Sequence, residues 1–305
     1  MQANIRLGYA SLILATAFWG GNFVLGKLLS NVIEPITLTY LRWFPALIIL
    51  ACLFYRPTVK ALPVIETSKT LIWSLGMLGV VLFPATLYQG LKSTSALNAS
   101  LYLAVVPVLV LFLNLLFFKE KIKLIIFSGA LLSLVGVTWL LSQGNLTRLA
   151  QLEINRGDLW TITSAVSWAI YCCIIRQRPS GISNTAFLTA LVGLAVLTLT
   201  PLFLYEFWQI SAKTLQNLTA YQWLGVAYLV LGPSILSYAF WNYGIAIIGS
   251  AKAAVMTNFT PLFAVLFSIL LLNEAIYSFH IISAILITAG VLICGYNNSP
   301  SNKGE

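Results

Sequence analysis

Two residue pairs at helical spacing carry groups suited to holding a small molecule: Trp19 with Asn22, and Trp168 with Tyr171. Positions three apart share one helical face, so each pair sets an aromatic wall beside a polar group. Tyr88 and Gln89 form a third cluster. Tyr238, Trp241 and Asn242 form a fourth at i, i+3 and i+4, followed by Tyr243. Tyr102 and Asn258 each lie a few residues before a proline, Pro107 and Pro261. A proline inside a helix strips the donor from the carbonyl four residues earlier, here that of Leu103 or Thr257, leaving an acceptor that can face a ligand. The chemistry of this set is binding, with rings supplying apolar area and amides and hydroxyls fixing orientation. The alternative is packing between helices, with each indole N–H satisfied by a neighbour and each proline a plain kink.

Bond-making chemistry has little to work with. A single histidine, His280, excludes a His-x-x-x-His metal site, and no Gly-x-Ser-x-Gly, Walker or Gly-x-Gly-x-x-Gly motif occurs. Cys52, Cys172, Cys173 and Cys294 lie inside apolar runs, where a thiol behaves as a small hydrophobe. Neither a disulfide framework nor a metal or other cofactor is expected, and the chain does not read as an enzyme. The net charge of +9 is spread over short loops, which argues against a nucleic-acid partner.

The elements that must position these residues follow from composition. Of 305 residues, 59% are hydrophobic, and only 17 basic and 8 acidic residues interrupt them. A spanning helix needs about 20 apolar residues. The neutral runs predict spans at Leu7–Leu29, Pro35–Phe54, Thr70–Leu91, Ser95–Phe118 and Leu124–Leu141. After a polar break from Ser142 to Arg156 come Gly157–Ile175, Thr185–Phe207, Gln222–Ile248, Ala251–Leu272 and Ile281–Gly295. Ten segments of ~21 residues leave only ~95 for connections and tails, too few for a soluble domain. The first apolar run is expected to be an uncleaved helix, since no small-residue cleavage site follows it. The expected fold is an all-α polytopic membrane protein whose partner is the lipid bilayer, with monomer and homodimer both open.

Five helices, a break and five helices invite a test for duplication. A shift of 154 residues lays Gly90 on Gly244, Ala99 on Ala253, Pro107 on Pro261, Glu120 on Glu274 and Gly136 on Gly290. A shift of 149 lays Gly8 on Gly157 and Trp19 on Trp168. The expected repeats are 1–141 and 157–296. With the N-terminus cytoplasmic, 11 basic residues fall on the inside and 5 on the outside, as the positive-inside rule requires. Both termini are therefore expected in the cytoplasm. An odd number of helices per half inverts the second repeat, and inverted repeats with interrupted helices imply alternating access around a midplane site.

GLKSTSALNASLYLAVVPVLVLFLNLLFFKEKI (Gly90 to Ile122) and GIAIIGSAKAAVMTNFTPLFAVLFSILLLNEAI (Gly244 to Ile276) each resemble the EamA-type repeat of the drug/metabolite transporter superfamily. FWGGNFVLGK (Phe18 to Lys27) and TYLRWFPA (Thr39 to Ala46) resemble the opening of the first repeat. The resemblance implies ten helices in two inverted five-helix repeats, in the plasma (inner) membrane. It also implies an exporter-like carrier of small metabolites, amino acids or drugs. Nucleotide-sugar and sugar-phosphate carriers share the fold. They would be expected to keep Lys or Arg on later cavity walls, where helices eight to ten hold only Lys252 at a turn. An intramembrane enzyme or a channel is the alternative of a different class.

Three charged residues complete the reading. Arg42 lies seven residues into the second helix, and an intramembrane cation could attract a carboxylate-bearing substrate. The preferred reading is that it snorkels to the outer interface, to carbonyls or Glu34. Glu120 and Glu274, which match the family's helix-end Glu, are read as capping the N-terminus of the following helix.

Overall fold

The computed structural model of the chain describes residues 2–94, 99, 102–147, 155–272 and 275–296. Among them are nine helices long and apolar enough to cross a membrane and a tenth, shorter apolar helix. In chain order they are α1 (Gln2–Ser30), α2 (Pro35–Lys60), α3 (Lys69–Ser93), α4 (Val106–Phe118) and α5 (Leu124–Leu141). The second half holds α6 (Arg156–Gln177), α7 (Asn184–Glu206), α8 (Ala220–Ile248), α9 (Ser250–Phe267) and α10 (Ser278–Tyr296). This is the expected all-α fold, and the bounds of α5 are those read from its apolar run. Short helices at Leu62–Thr67 and Ala212–Gln216, which hydropathy alone did not announce, lie in the connections.

Caps set several helix starts. Asn155 and Asp158 form a reciprocal capping box at α6, and Thr219 and Gln222 another at α8, each satisfying N–H groups that would otherwise be orphaned. At the turn from α8 to α9, Gly249 adopts φ 84°, a region that L side chains resist. Glu120, expected to cap α5, does not: the start of α5 carries no side-chain cap, and Glu120 pairs with Arg176 at 2.6 Å. The charged partner across the bundle is the stronger attraction for an isolated carboxylate. Glu274 lies outside the described residues.

The prolines expected inside helices instead stand where helices restart. α4 begins at Val106 with Pro107 in its first turn, and α9 breaks after Met256 and resumes at Phe259, two residues before Pro261. A first-turn proline gives up an N–H that has no partner in any case, so the chain breaks rather than kinks. The carbonyl of Thr257 is taken by the Thr260 N–H at 2.9 Å.

Two widened, π-helical turns interrupt α3 at Met77–Leu82 and α8 at Val230–Leu236. The 154-residue shift superposes them, and it lays Gly79 on Pro233. A π turn displaces the regular carbonyl acceptors, and both of these carbonyls bond to the other half of the molecule. The Tyr238 hydroxyl donates to Gly79 O, while Trp19 Nε1 and Arg42 Nη2 donate to Pro233 O at 3.1 and 3.2 Å.

The halves also meet through matched glycines. A Cβ at Gly157 on α6 would lie 2.7 Å from the Gly90 oxygen on α3, and one at Gly244 on α8 would lie 3.1 Å from the Gly8 oxygen on α1. These are the residues that the two shifts equate, so α3 crosses α6 as α8 crosses α1. Small residues let such backbones approach in lipid, where packing rather than water exclusion drives association.

Candidate functional site

The centre of the bundle is a layer of rings in which Trp19, Trp43, Trp168, Tyr171, Tyr238 and Trp241 are all at most 7% exposed. Trp19 and Trp168, equivalent in the duplication, meet edge to face with centroids 5.1 Å apart at 88°. Trp241 lies 5.0 Å from Trp19, Tyr171 stacks on Trp168 at 4.9 Å, and Tyr238 meets Trp43 edge-on at 4.9 Å. Edge-to-face and offset geometries let positive ring edges meet negative faces, worth about 0.5–1.5 kcal/mol per pair beyond burial.

Arg42 stands beside this layer and is 1% exposed. The expected snorkelling is therefore corrected: the guanidinium turns inward. Its Nε donates to Ser234 Oγ at 2.8 Å, and Nη1 donates to Tyr88 OH at 2.9 Å and Asn22 Oδ1 at 3.4 Å. With Nη2 on the Pro233 carbonyl at 3.2 Å, four neutral groups hold the cation. The guanidinium also lies 5.1 Å from the Trp43 ring centroid, within cation–π range. An arginine at the centre of a lone membrane helix costs about 2.5–3.5 kcal/mol or more. The inward network offsets that cost without an exposed route. Glu34, the carboxylate considered for Arg42, pairs with Lys92 at 2.6 Å.

A cavity of about 60 Å³ opens against this network, lined by Trp19, Asn22, Phe23, Arg42, Phe83, Trp168, Thr257 and Asn258, with Leu103, Ala104, Val106, Thr260, Pro261 and Ala264. A second, of about 850 Å³, lies toward the α6–α7 and α8–α9 turns; its walls include Arg176, Arg178, Asn184, Asn242, Ser250 and Lys252. The two share no lining residue. From one to the other, contact runs Trp168 to Tyr171 by stacking, then Tyr171 OH to Asn242 Oδ1 at 2.7 Å. Of the ring layer, Trp19 and Trp168 line the smaller cavity and none of its rings lines the larger, which the layer reaches through the Tyr171–Asn242 bond.

The sequence-derived residues divide accordingly. Trp19, Asn22, Arg42, Trp168 and Asn258 line the smaller cavity. Tyr88 stands behind it, donating to Asn22 Oδ1 at 3.0 Å and accepting from Arg42. Tyr171, Tyr238 and Trp241 are ring-layer residues, and Asn242 faces the larger cavity. Tyr102 is half-buried and outside the lining, which its neighbours Leu103 and Ala104 enter instead. Two buried amide atoms have no partner among the described residues: Asn258 Oδ1 at the smaller cavity and Asn242 Nδ2 at the larger. Ser234, Pro233, Phe23 and Phe83 were missed by sequence reasoning. A Pro-Ser step inside an apolar run was the available signal for the first two.

The EamA-like transporter family matches this chain over residues 6–142 and 155–296. The chain is 27% identical over 288 residues to the uncharacterized transporter YyaM of Bacillus subtilis (strain 168), covering 93% of this chain and 92% of that one. A WAT1-related chloroplastic protein of Arabidopsis thaliana is 25% identical over 299 residues, covering 95% of this chain and 70% of that one. A solved crystal structure superposes with a TM-score of 0.73 at 17% identity, covering 97% of both chains, which shows the shared fold. The chain belongs to the EamA-like transporter family.

Proposed function

We propose that this EamA-like transporter carries small organic solutes, such as amino acids or related metabolites and drugs, outward across the plasma membrane by alternating access. The observation that carries the proposal is a pair of separate cavities that share no lining residue and are linked through a ring layer centred on duplicated residues, a layer read here as the partition between them. A channel would need a continuous path, whereas a carrier needs a barrier that can open on one side at a time. With both termini cytoplasmic, the larger cavity faces the cytoplasm, because its walls include Arg178 to Asn184 and Gly249 to Lys252. The smaller cavity then holds the solute head between rings and amides.

Counterflow in proteoliposomes tests this. Liposomes preloaded with an unlabelled amino acid should transiently accumulate the labelled one, with saturation. Trp168→Ala should cut that flux at least tenfold, since it removes a cavity wall and part of the partition. Leu266→Ala, at a side chain 43% exposed on the bundle surface, should leave both flux and folded yield near wild type. Linear, non-saturating flux would mark a channel, and equal flux from the Trp168 variant would remove the ring layer from the mechanism.

A further inference from the structure

We infer that Arg42 and Asn258 select the solute, Arg42 by charge and Asn258 by hydrogen bonding, taking one that presents a carboxylate to Arg42 and an N–H donor to Asn258. The inference rests on the carrier reading above and deepens it by assigning the contacts within the same cavity.

Arg42 has five N–H groups. Ser234, Tyr88, Asn22 and Pro233 accept four of them, and every one of these acceptors is neutral. The remaining N–H sits on Nη2, and among the described residues no carboxylate pairs with the guanidinium. The cation is thus held in place but not neutralised, on the wall of a cavity. Low-dielectric surroundings strengthen its attraction for an incoming anion, and carboxylates match the guanidinium fork.

Asn258 supplies the opposite chemistry. It is 1% exposed, and its Nδ2 donates to Ser133 Oγ at 3.0 Å, with Oδ1 at the other end of the amide. That oxygen has no donor among the described residues, and Asn258 lines the same cavity as Arg42. A buried acceptor left alone is costly until something donates to it. Trp19, Phe23, Phe83 and Trp168 form the apolar wall. At about 60 Å³ the space falls well short of the roughly 300–1,000 Å³ of drug-sized pockets, so in this conformation it suits a solute of a few heavy atoms.

The test uses the purified full-length protein in detergent, with tryptophan fluorescence as readout and three matched probes. Alanine has both groups, propionate lacks the amine, and alaninamide replaces the carboxylate with a neutral amide. Alanine should bind saturably, propionate more weakly, and alaninamide at least tenfold more weakly than alanine. In Arg42→Gln, checked for folding by size exclusion, alanine should lose that preference over alaninamide. If the variant does not fold, the wild-type probe series decides alone. A wild-type preference for alanine over alaninamide below tenfold overturns the inference. Counterflow of alanine with alaninamide competing equally would leave the carrier reading standing and remove the charge selection. No saturable binding and no counterflow by any probe would remove both.

Discussion

Tyr171 donates a 2.7 Å hydrogen bond to Asn242, and this pair is the image, with residue types exchanged, of Tyr88 bonded to Asn22. The 149-residue shift places Asn22 on Tyr171, and the 154-residue shift places Tyr88 on Asn242. Each half therefore closes one Tyr–Asn bond between a helix carrying a central tryptophan and a helix carrying a π turn. The two bonds differ in what stands beside them. Tyr88 and Asn22 also hold the Arg42 cation, whereas the larger cavity's side has Asn242 with an unpartnered Nδ2.

Removing the hydroxyl in Tyr171→Phe would leave both polar ends of Asn242 buried and without a described partner. The expected loss is about 1–3 kcal/mol of stability, the usual penalty for orphaning buried polar groups. Replacing both members, in Tyr171→Phe with Asn242→Leu, should recover part of it because no polar atom is left stranded. Thermal unfolding in detergent checks the order: a double variant less stable than the single one would mean the pair acts through shape rather than through hydrogen bonding.

Close helix crossing gives a second expectation. Gly157→Ala puts a methyl 2.7 Å from the Gly90 oxygen and 2.6 Å from Ser93 Oγ, so α3 and α6 must separate. Overpacking of that kind costs about 1–3 kcal/mol. At Gly193 on α7 the nearest neighbour would be Leu47 Cδ1 at 3.6 Å, an ordinary contact. There the helix gains propensity, about 1 kcal/mol for Gly to Ala, so Gly193→Ala should keep or raise the melting temperature while Gly157→Ala lowers it.

Much of this was legible in the sequence because duplication and hydropathy are both long-range signals. The 154-residue offset already paired Gly90 with Gly244, and those glycines are crossing points. Trp19 and Trp168 were recognisable as equivalents, and their rings touch. The surroundings of Arg42 were not legible. Its partners Ser234 and Pro233 come from a helix about 190 residues away, through a π turn that leaves no mark in hydrophobic periodicity. Without them an intramembrane arginine reads as a surface residue. The restarts at Val106 and Phe259 were hidden for a related reason, since a proline in a first turn and one in mid-helix look alike in an apolar run.

Topology gives a third expectation. Ten crossings and the basic-residue asymmetry predict Asn145 outside and Ser301 inside. Reporter fusions at the two positions should give opposite signals, with the Ser301 fusion on the cytoplasmic side. Signals from the same side would be incompatible with five crossings in the second half and hence with inversion of the repeats.

An imposed pH gradient should not drive uphill uptake in liposomes. Proton-coupled carriers place a titrating carboxylate or histidine where the solute or the gate can reach it. Here no acidic residue or histidine lines the smaller cavity. Glu34 pairs with Lys92 and Glu120 with Arg176. Glu206 accepts from the Thr37 N–H and hydroxyl, both at 2.6 Å, at the start of α2. Asp158 is wholly buried but completes the capping box of α6, accepting from the Asn155 N–H at 2.8 Å and from the Thr94 hydroxyl. Each of these carboxylates is fixed at a helix end or in an ion pair; Glu120 alone of them lines a cavity, the larger, and there it is held by Arg176. Uptake should therefore follow the solute gradient or exchange with internal solute, and be unchanged when a protonophore collapses the pH gradient. Accumulation several-fold above equilibrium that depends on that gradient would place the coupling proton on one of these carboxylates, with Asp158→Asn the first variant to try.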